Sequence, residues 1–188
     1  MTSTLTIPYN MNFVFDEALH EKPIDTEDMN RGIDYLKKQF TREPTAGTAG
    51  LIGTYSRIVN DFDNAKKYLT IAIKLNKSRN NERGVFANKI RLANTYQWNK
   101  EYAEADILFH ELEEEIATVD ISTREIYEDF LYQHFGKNKF DQEQYEEALI
   151  HFNKALQIRL NKGNQELIQS TTLAIDTTRK KINMTNVL

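Results

Sequence analysis

Apolar residues recur with the period of a helix along much of the chain, and small side chains alternate with large ones on the same stripe. In "QYEEALIHFNKAL", Tyr145, Ala148, Phe152 and Ala155 occupy positions i, i+3, i+7 and i+10, which lie on one helix face. The stripe occurs twice upstream. "EYAEADILFHEL" places Tyr102, Ala105, Phe109 and Leu112 at this spacing, and "DFDNAKKYLTIAI" places Phe62, Ala65, Leu69 and Ala72. Three copies of one pattern predict three helices of a repeating structure.

Nine residues before the first aromatic of each stripe, a small residue follows an apolar one: Ile52-Gly53, Leu92-Ala93 and Phe135-Gly136. This predicts a second helix ahead of each stripe, with turns in "VNDFD", "WNKEY" and "FDQEQY". Asp141 with Gln144, and Ser122 with Glu125, have the spacing of helix-capping pairs. Each unit is thus expected to be a helical hairpin. A weaker copy, Met29, Gly32 and Leu36 in "DMNRGIDYLKKQF" followed by Pro44, extends the pattern towards the N-terminus. At the other end, "NQELIQSTTLAIDTTRKKI" reads as a closing helix with a polar outer face.

A hairpin cannot hide its apolar stripe alone and buries it against a neighbour. Where helices cross closely, a small residue lets the backbones approach and large ones fill the space on either side. Gly53, Ala65, Ala93, Ala105, Gly136, Ala148 and Ala155 are therefore expected to be packing points.

In residue type and register these units resemble the tetratricopeptide repeat family. Its first helix carries a Leu-Gly or Leu-Ala pair, and its second carries Tyr-x-x-Ala-x-x-x-Phe-x-x-Ala. "IRLANTYQWNKEYAEADILFHEL" matches at Leu92, Ala93, Tyr96, Tyr102, Ala105 and Phe109. The resemblance is good over residues 46 to 162 and loose outside them. It implies one all-α domain over 1–188, a right-handed superhelical solenoid of antiparallel helix pairs. The degenerate repeat falls at 13–44, clear repeats at 46–79, 86–118 and 129–162, and a capping helix at 164–183. The stripes begin at 62, 102 and 145, so the periods are 40 and 43 where the family usually has about 34. The helical pattern continues on both sides of short polar breaks, which predicts lengthened helices similar to those of kinesin light chains and peptide-controlled bacterial regulators.

Composition narrows the chemistry. Seven Gly and three Pro leave few helix breakers, and the absence of cysteine removes disulfides, thiolate nucleophiles and cysteine-ligated metals. A net charge of −4 with both signs interspersed argues against a nucleic-acid surface. The N-terminal stretch has neither the basic start nor the apolar run of a signal peptide, and no segment reaches the roughly 20 apolar residues of a membrane span. A soluble, cytoplasmic protein is expected. His20, His110, His134 and His151 show no zinc spacing, and phosphate loops and nucleophile elbows are missing. The expectation is a non-enzyme with no cofactor and no metal.

In the resembling family, the side of the first helix facing away from the packing residues lines a concave groove. With Leu92, Ala93 and Tyr96 packed inward, the 100° step places Ile90, Arg91, Asn94 and Trp98 on that side. The same register gives Thr54, Arg57 and Ile58 in the preceding unit, and Gln133, His134 and Lys137 in the following one. This set holds three cations and no acid, so the groove is expected to be mildly basic. The resemblance then implies a module binding a protein or peptide, with an acidic segment or terminal carboxylate held by Arg57, Arg91 and Lys137, and its backbone held by Asn94 and Gln133. Trp98 is the candidate aromatic anchor, with packing under the lengthened turn as its other reading. Gly50 and Ile90 stand where family members that recognise a chaperone C-terminus carry a lysine. Two other readings fit a small, net-acidic chain: an immunity or inhibitor-type protein blocking an enzyme such as a toxin nuclease, and a peptide-sensing bacterial regulator.

Overall fold

The computed structural model describes residues 6–16 and 19–185, so Glu17 and Ala18, inside the expected first repeat, lie outside the described residues. The protein is all-α, with eight helices and one short strand pair among the described residues. It divides into two compact units, residues 1–99 and 100–188.

The first unit opens with two strands, β1 (Phe13–Phe15) and β2 (Glu21–Pro23), paired antiparallel with Val14 opposite Lys22 and Phe15 opposite Glu21. Helices α1 (Thr26–Arg42), α2 (Ala46–Ile58), α3 (Phe62–Lys77) and α4 (Glu82–Trp98) follow. Each begins at a short polar side chain that can reach a free backbone donor of the first turn. Asp25, Thr45, Asp61 and Asn81 accept from the backbone N–H of Asp28, Thr48, Asn64 and Gly84. The core joins Met29, Ile33 and Leu36 of α1 to Ile52 and Ile58 of α2, with Phe40, Tyr55 and Tyr68 packed around them. Ala65, Leu69 and Ala72 of the α3 stripe are wholly buried. Burying a side chain such as Leu69 contributes about 1.5–3 kcal/mol.

The second unit holds α5 (Tyr102–Glu115), α6 (Ile121–Asp141), α7 (Tyr145–Lys162) and α8 (Gln165–Thr185). Its two stripes are buried in the same way: Ala105, Phe109 and Leu112 in α5, Ala148, Phe152 and Ala155 in α7. Phe109 stacks on Phe135 with ring centroids 5.1 Å apart.

The two units share one packing device. A Cβ placed on Gly53 of α2 would lie 2.5 Å from Leu69 Cγ, and one placed on Gly136 of α6 would lie 2.6 Å from the Phe152 ring. Leu69 and Phe152 are the third members of their stripes, so the small residue of one helix meets the same stripe position of the next.

The turns repeat as well. Asn60, Lys100 and Glu143, each two residues before a stripe aromatic, have φ of 63°, 59° and 61°. At the first and third turns, Asn60 N–H donates to Arg57 O and Asp61 N–H to Ser56 O, while Glu143 N–H donates to Phe140 O and Gln144 N–H to Lys139 O. These are Schellman closures, which satisfy the last helical carbonyls and reverse the chain in few residues.

Three expectations change. Where a first hairpin of helices was expected over 13–44, the described residues form a strand pair followed by one helix, because "FVF" and "EKP" pair as strands ahead of the Asp25 cap. Asp141 ends α6, and α7 starts at Tyr145 with Gln144 at the cap position making no side-chain cap bond. Ser122 lies inside α6, whose cap is Asp120: its carboxylate takes the Thr123 N–H and the Ser122 and Thr123 hydroxyls, so the helix starts two residues earlier. Lengthened helices are present: α4 begins at 82 and α6 at 121, ahead of the repeat bounds at 86 and 129.

Candidate functional site

The ten residues assigned to a partner surface divide between the units, Thr54, Arg57, Ile58, Ile90, Arg91, Asn94 and Trp98 in the first, Gln133, His134 and Lys137 in the second. In the first unit Arg57 and Trp98 come together, at the C-terminal ends of α2 and α4. Arg57 is only 4% exposed, and its guanidinium makes a two-pronged ion pair with Glu21 of β2, Nη1 to Oε2 at 3.0 Å and Nη2 to Oε1 at 3.2 Å. Its Cζ lies 4.2 Å from the centre of the Trp98 ring system. The His20 ring stacks on Trp98 at 4.4 Å and 21°.

A buried guanidinium needs a partner, because leaving one charge of such a pair uncompensated is strongly unfavourable. Here the chain supplies the partner itself. The acid missing from the helical set is Glu21, which is 8% exposed and arrives from 36 residues upstream. Planar stacking on Trp98 suits both guanidinium and imidazole. Beside the cluster lies a cleft of about 180 Å³ lined by Asp16, His20, Thr26, Ile58, Asn60 and Trp98.

The other residues of this unit vary. Arg91 is exposed, and its Nη1 donates to Asn88 Oδ1 at 3.1 Å. Thr54 is half-buried, its hydroxyl donating to Gly50 O. Ile58 belongs to the core with α1, and Ile90 is 4% exposed, so neither offers an open apolar surface. Asn94 is buried, and its Oδ1 accepts no hydrogen bond from the described residues.

In the second unit Gln133 and Lys137 are buried and His134 half-buried. Gln133 belongs to a polar network: its Oε1 accepts from Arg159 Nη1 at 3.1 Å and Thr171 Oγ1 at 2.9 Å. Arg159 also donates through Nε to Asp129 at 2.8 Å, and Lys162 pairs with the second oxygen of that carboxylate. Arg159 and Asp129 are essentially inaccessible, so this network fastens α6, α7 and α8 together. Burial lowers the His151 pKa from 6.5 to about 4; its ring stacks on Phe135 at 3.9 Å as a neutral aromatic.

Among the described residues no group of three or more His, Asp or Glu side chains could hold a metal ion. No helix of the described residues is long and apolar enough to cross a membrane. Glu21 and His20 are the site residues that helical periodicity could not find. The aromatic and β-branched "FVF" and the strand-ending Pro23 are the signals for the hairpin that carries them. No protein-family model matches the sequence, and a search of curated proteins returns no match.

Proposed function

We propose that the chain is a tetratricopeptide-like, non-catalytic binding module. Its helix pairs are read as lengthened repeats of a right-handed superhelix that presents the C-terminal halves of α2 and α4 to a protein or peptide segment. The observation that carries this reading is the occupancy of Arg57 and Trp98. Residues selected as partner contacts hold an extended segment, through a two-pronged carboxylate contact and a stacked ring. Support for the repeat reading comes from the shared packing of Gly53 on Leu69 and Gly136 on Phe152, and from the recurrent left-handed turn residues.

Arg91 is the test position, since it is exposed and its guanidinium donates to Asn88. A partner captured by the full chain, identified by mass spectrometry and purified, should bind Arg91→Glu at least tenfold more weakly, with helicity unchanged. Equal binding by the variant defeats the groove reading. Loss of binding on neutralising Glu111 and Glu114 instead, exposed acids of α5, would favour an inhibitor whose target is basic.

A further inference from the structure

We infer that the His20-Glu21 step is an internal ligand, and that the partner is an extended peptide whose carboxylate replaces Glu21 on Arg57. The inference rests on the binding reading above and specifies the chemistry of its ligand. An arriving segment without an acid would strand a buried guanidinium, so the acid is obligatory. Exchange of one carboxylate for another leaves the Arg57 pairing intact, and a flat group in place of His20 keeps the Trp98 stack.

The strands of the hairpin bury few side chains. Of its strand residues only Glu21 is buried, while Phe13, Val14 and Phe15 are 41%, 54% and 52% exposed. A two-stranded hairpin has little stability of its own. Leu19, buried beside the site, has φ +64°, a left-handed conformation that a bulky side chain adopts only under constraint. Release of the segment relieves that strain. The cleft between His20, Asn60 and Trp98 gives an incoming chain its first foothold. The internal segment wins in the isolated protein because tethering gives it an effective concentration of order millimolar.

Trp98 is the only tryptophan, so its emission reports on this site alone. The probe is a capped synthetic peptide, Leu-His-Glu-Lys-Pro-Ile, copying residues 19–24, titrated into the full chain and into its Glu21→Gln variant. The expected result is a change in Trp98 emission, with the peptide binding Glu21→Gln at least tenfold more tightly than the unaltered chain. A peptide with Gln in place of Glu should lose that binding, as should the double variant Glu21→Gln/Arg57→Gln. Equal affinity for the two chains overturns the inference. So does loss of helical circular dichroism in Glu21→Gln, which would make the hairpin part of the fold. A partner that depends on Arg91 without peptide exchange defeats this inference only; peptide exchange without such a partner defeats only the groove reading.

Discussion

Gly53→Ala and Gly47→Ala make the same chemical change in the same helix, and the structure assigns them opposite signs. Both glycines lie in α2, Gly47 in its first turn and Gly53 in its interior, where alanine is favoured over glycine by about 0.5–1 kcal/mol. Gly47 is exposed, and the nearest atom to an added Cβ is Thr45 Oγ1 at 3.9 Å, an ordinary contact. That substitution should stabilise by up to about 1 kcal/mol. At Gly53 the new methyl would lie 2.5 Å from Leu69 Cγ, 3.0 Å from Leu69 Cδ2 and 3.1 Å from the Ala65 carbonyl oxygen. Leu69 is fully buried and cannot swing into solvent, and the carbonyl oxygen belongs to the α3 backbone. Overpacking of this kind costs about 1–3 kcal/mol, which exceeds or cancels the gain in propensity. The two variants should therefore differ by about 1–3 kcal/mol, with Gly53→Ala the weaker. Urea unfolding followed by Trp98 emission reads this directly, because Trp98 lies in the same unit as both glycines. In thermal unfolding each kcal/mol corresponds to about 4–8 °C for a unit of this size. Gly53→Ala as stable as Gly47→Ala would refute the claim that α2 and α3 are held at close approach by the missing side chain.

Four further outcomes follow from the geometry. Arg159→Leu leaves Asp129 buried with Lys162 as its remaining cation and should destabilise the second unit in urea unfolding, by less than the roughly 3–5 kcal/mol of a wholly uncompensated buried charge, with amide exchange rising first in α8. Glu143→Gly removes a side chain from an exposed left-handed position and should raise stability by about 0.5–1 kcal/mol; no gain would show that the turn is unstrained. Gly163→Ala, at φ +72° with nothing near its Cβ, should lower stability by about 1 kcal/mol through backbone strain alone. His151 is neutral when folded, its pKa lowered by burial to about 4, whereas the unfolded chain binds the proton near 6.5. Stability should then fall as pH drops from 6.5 to 4, by roughly 1 kcal/mol per pH unit after allowance for partial solvent access, and His151→Gln should flatten that slope.

The helices were legible because their signal is local. Ala148, Phe152 and Ala155 must share a face at 100° per residue whatever surrounds them, and all three are wholly buried. The turns were legible for the same reason, since Asp61 and its neighbours break one periodic run and begin another. Capping residues were less so, because adjacent candidates compete. Asp120 and Ser122 can each accept a backbone N–H, and the sequence does not say that Asp120 will also engage the hydroxyls of Ser122 and Thr123. The strand pair was the largest omission, as three-residue strands give too few positions for a period of two to register.

The site was half legible, and the missing half follows from what periodicity measures. A helical stripe tells which side chains face the partner helix, and it leaves the opposite side to be filled by whatever the chain brings back. Arg57 and Trp98 were placed on that opposite side, and they do meet there. Ile58 was placed with them but is claimed by α1, and Gln133 by Arg159 and Thr171, contacts that depend on distant parts of the chain. Ile58 and Gln133 are committed to the fold, and a partner that needed them would have to disassemble a core or a polar network. Arg57 is committed to the Trp98 ring and to a carboxylate on a strand that buries little else. Its present contact is one that a peptide carboxylate could reproduce atom for atom, and on the binding reading proposed above recognition should therefore begin there.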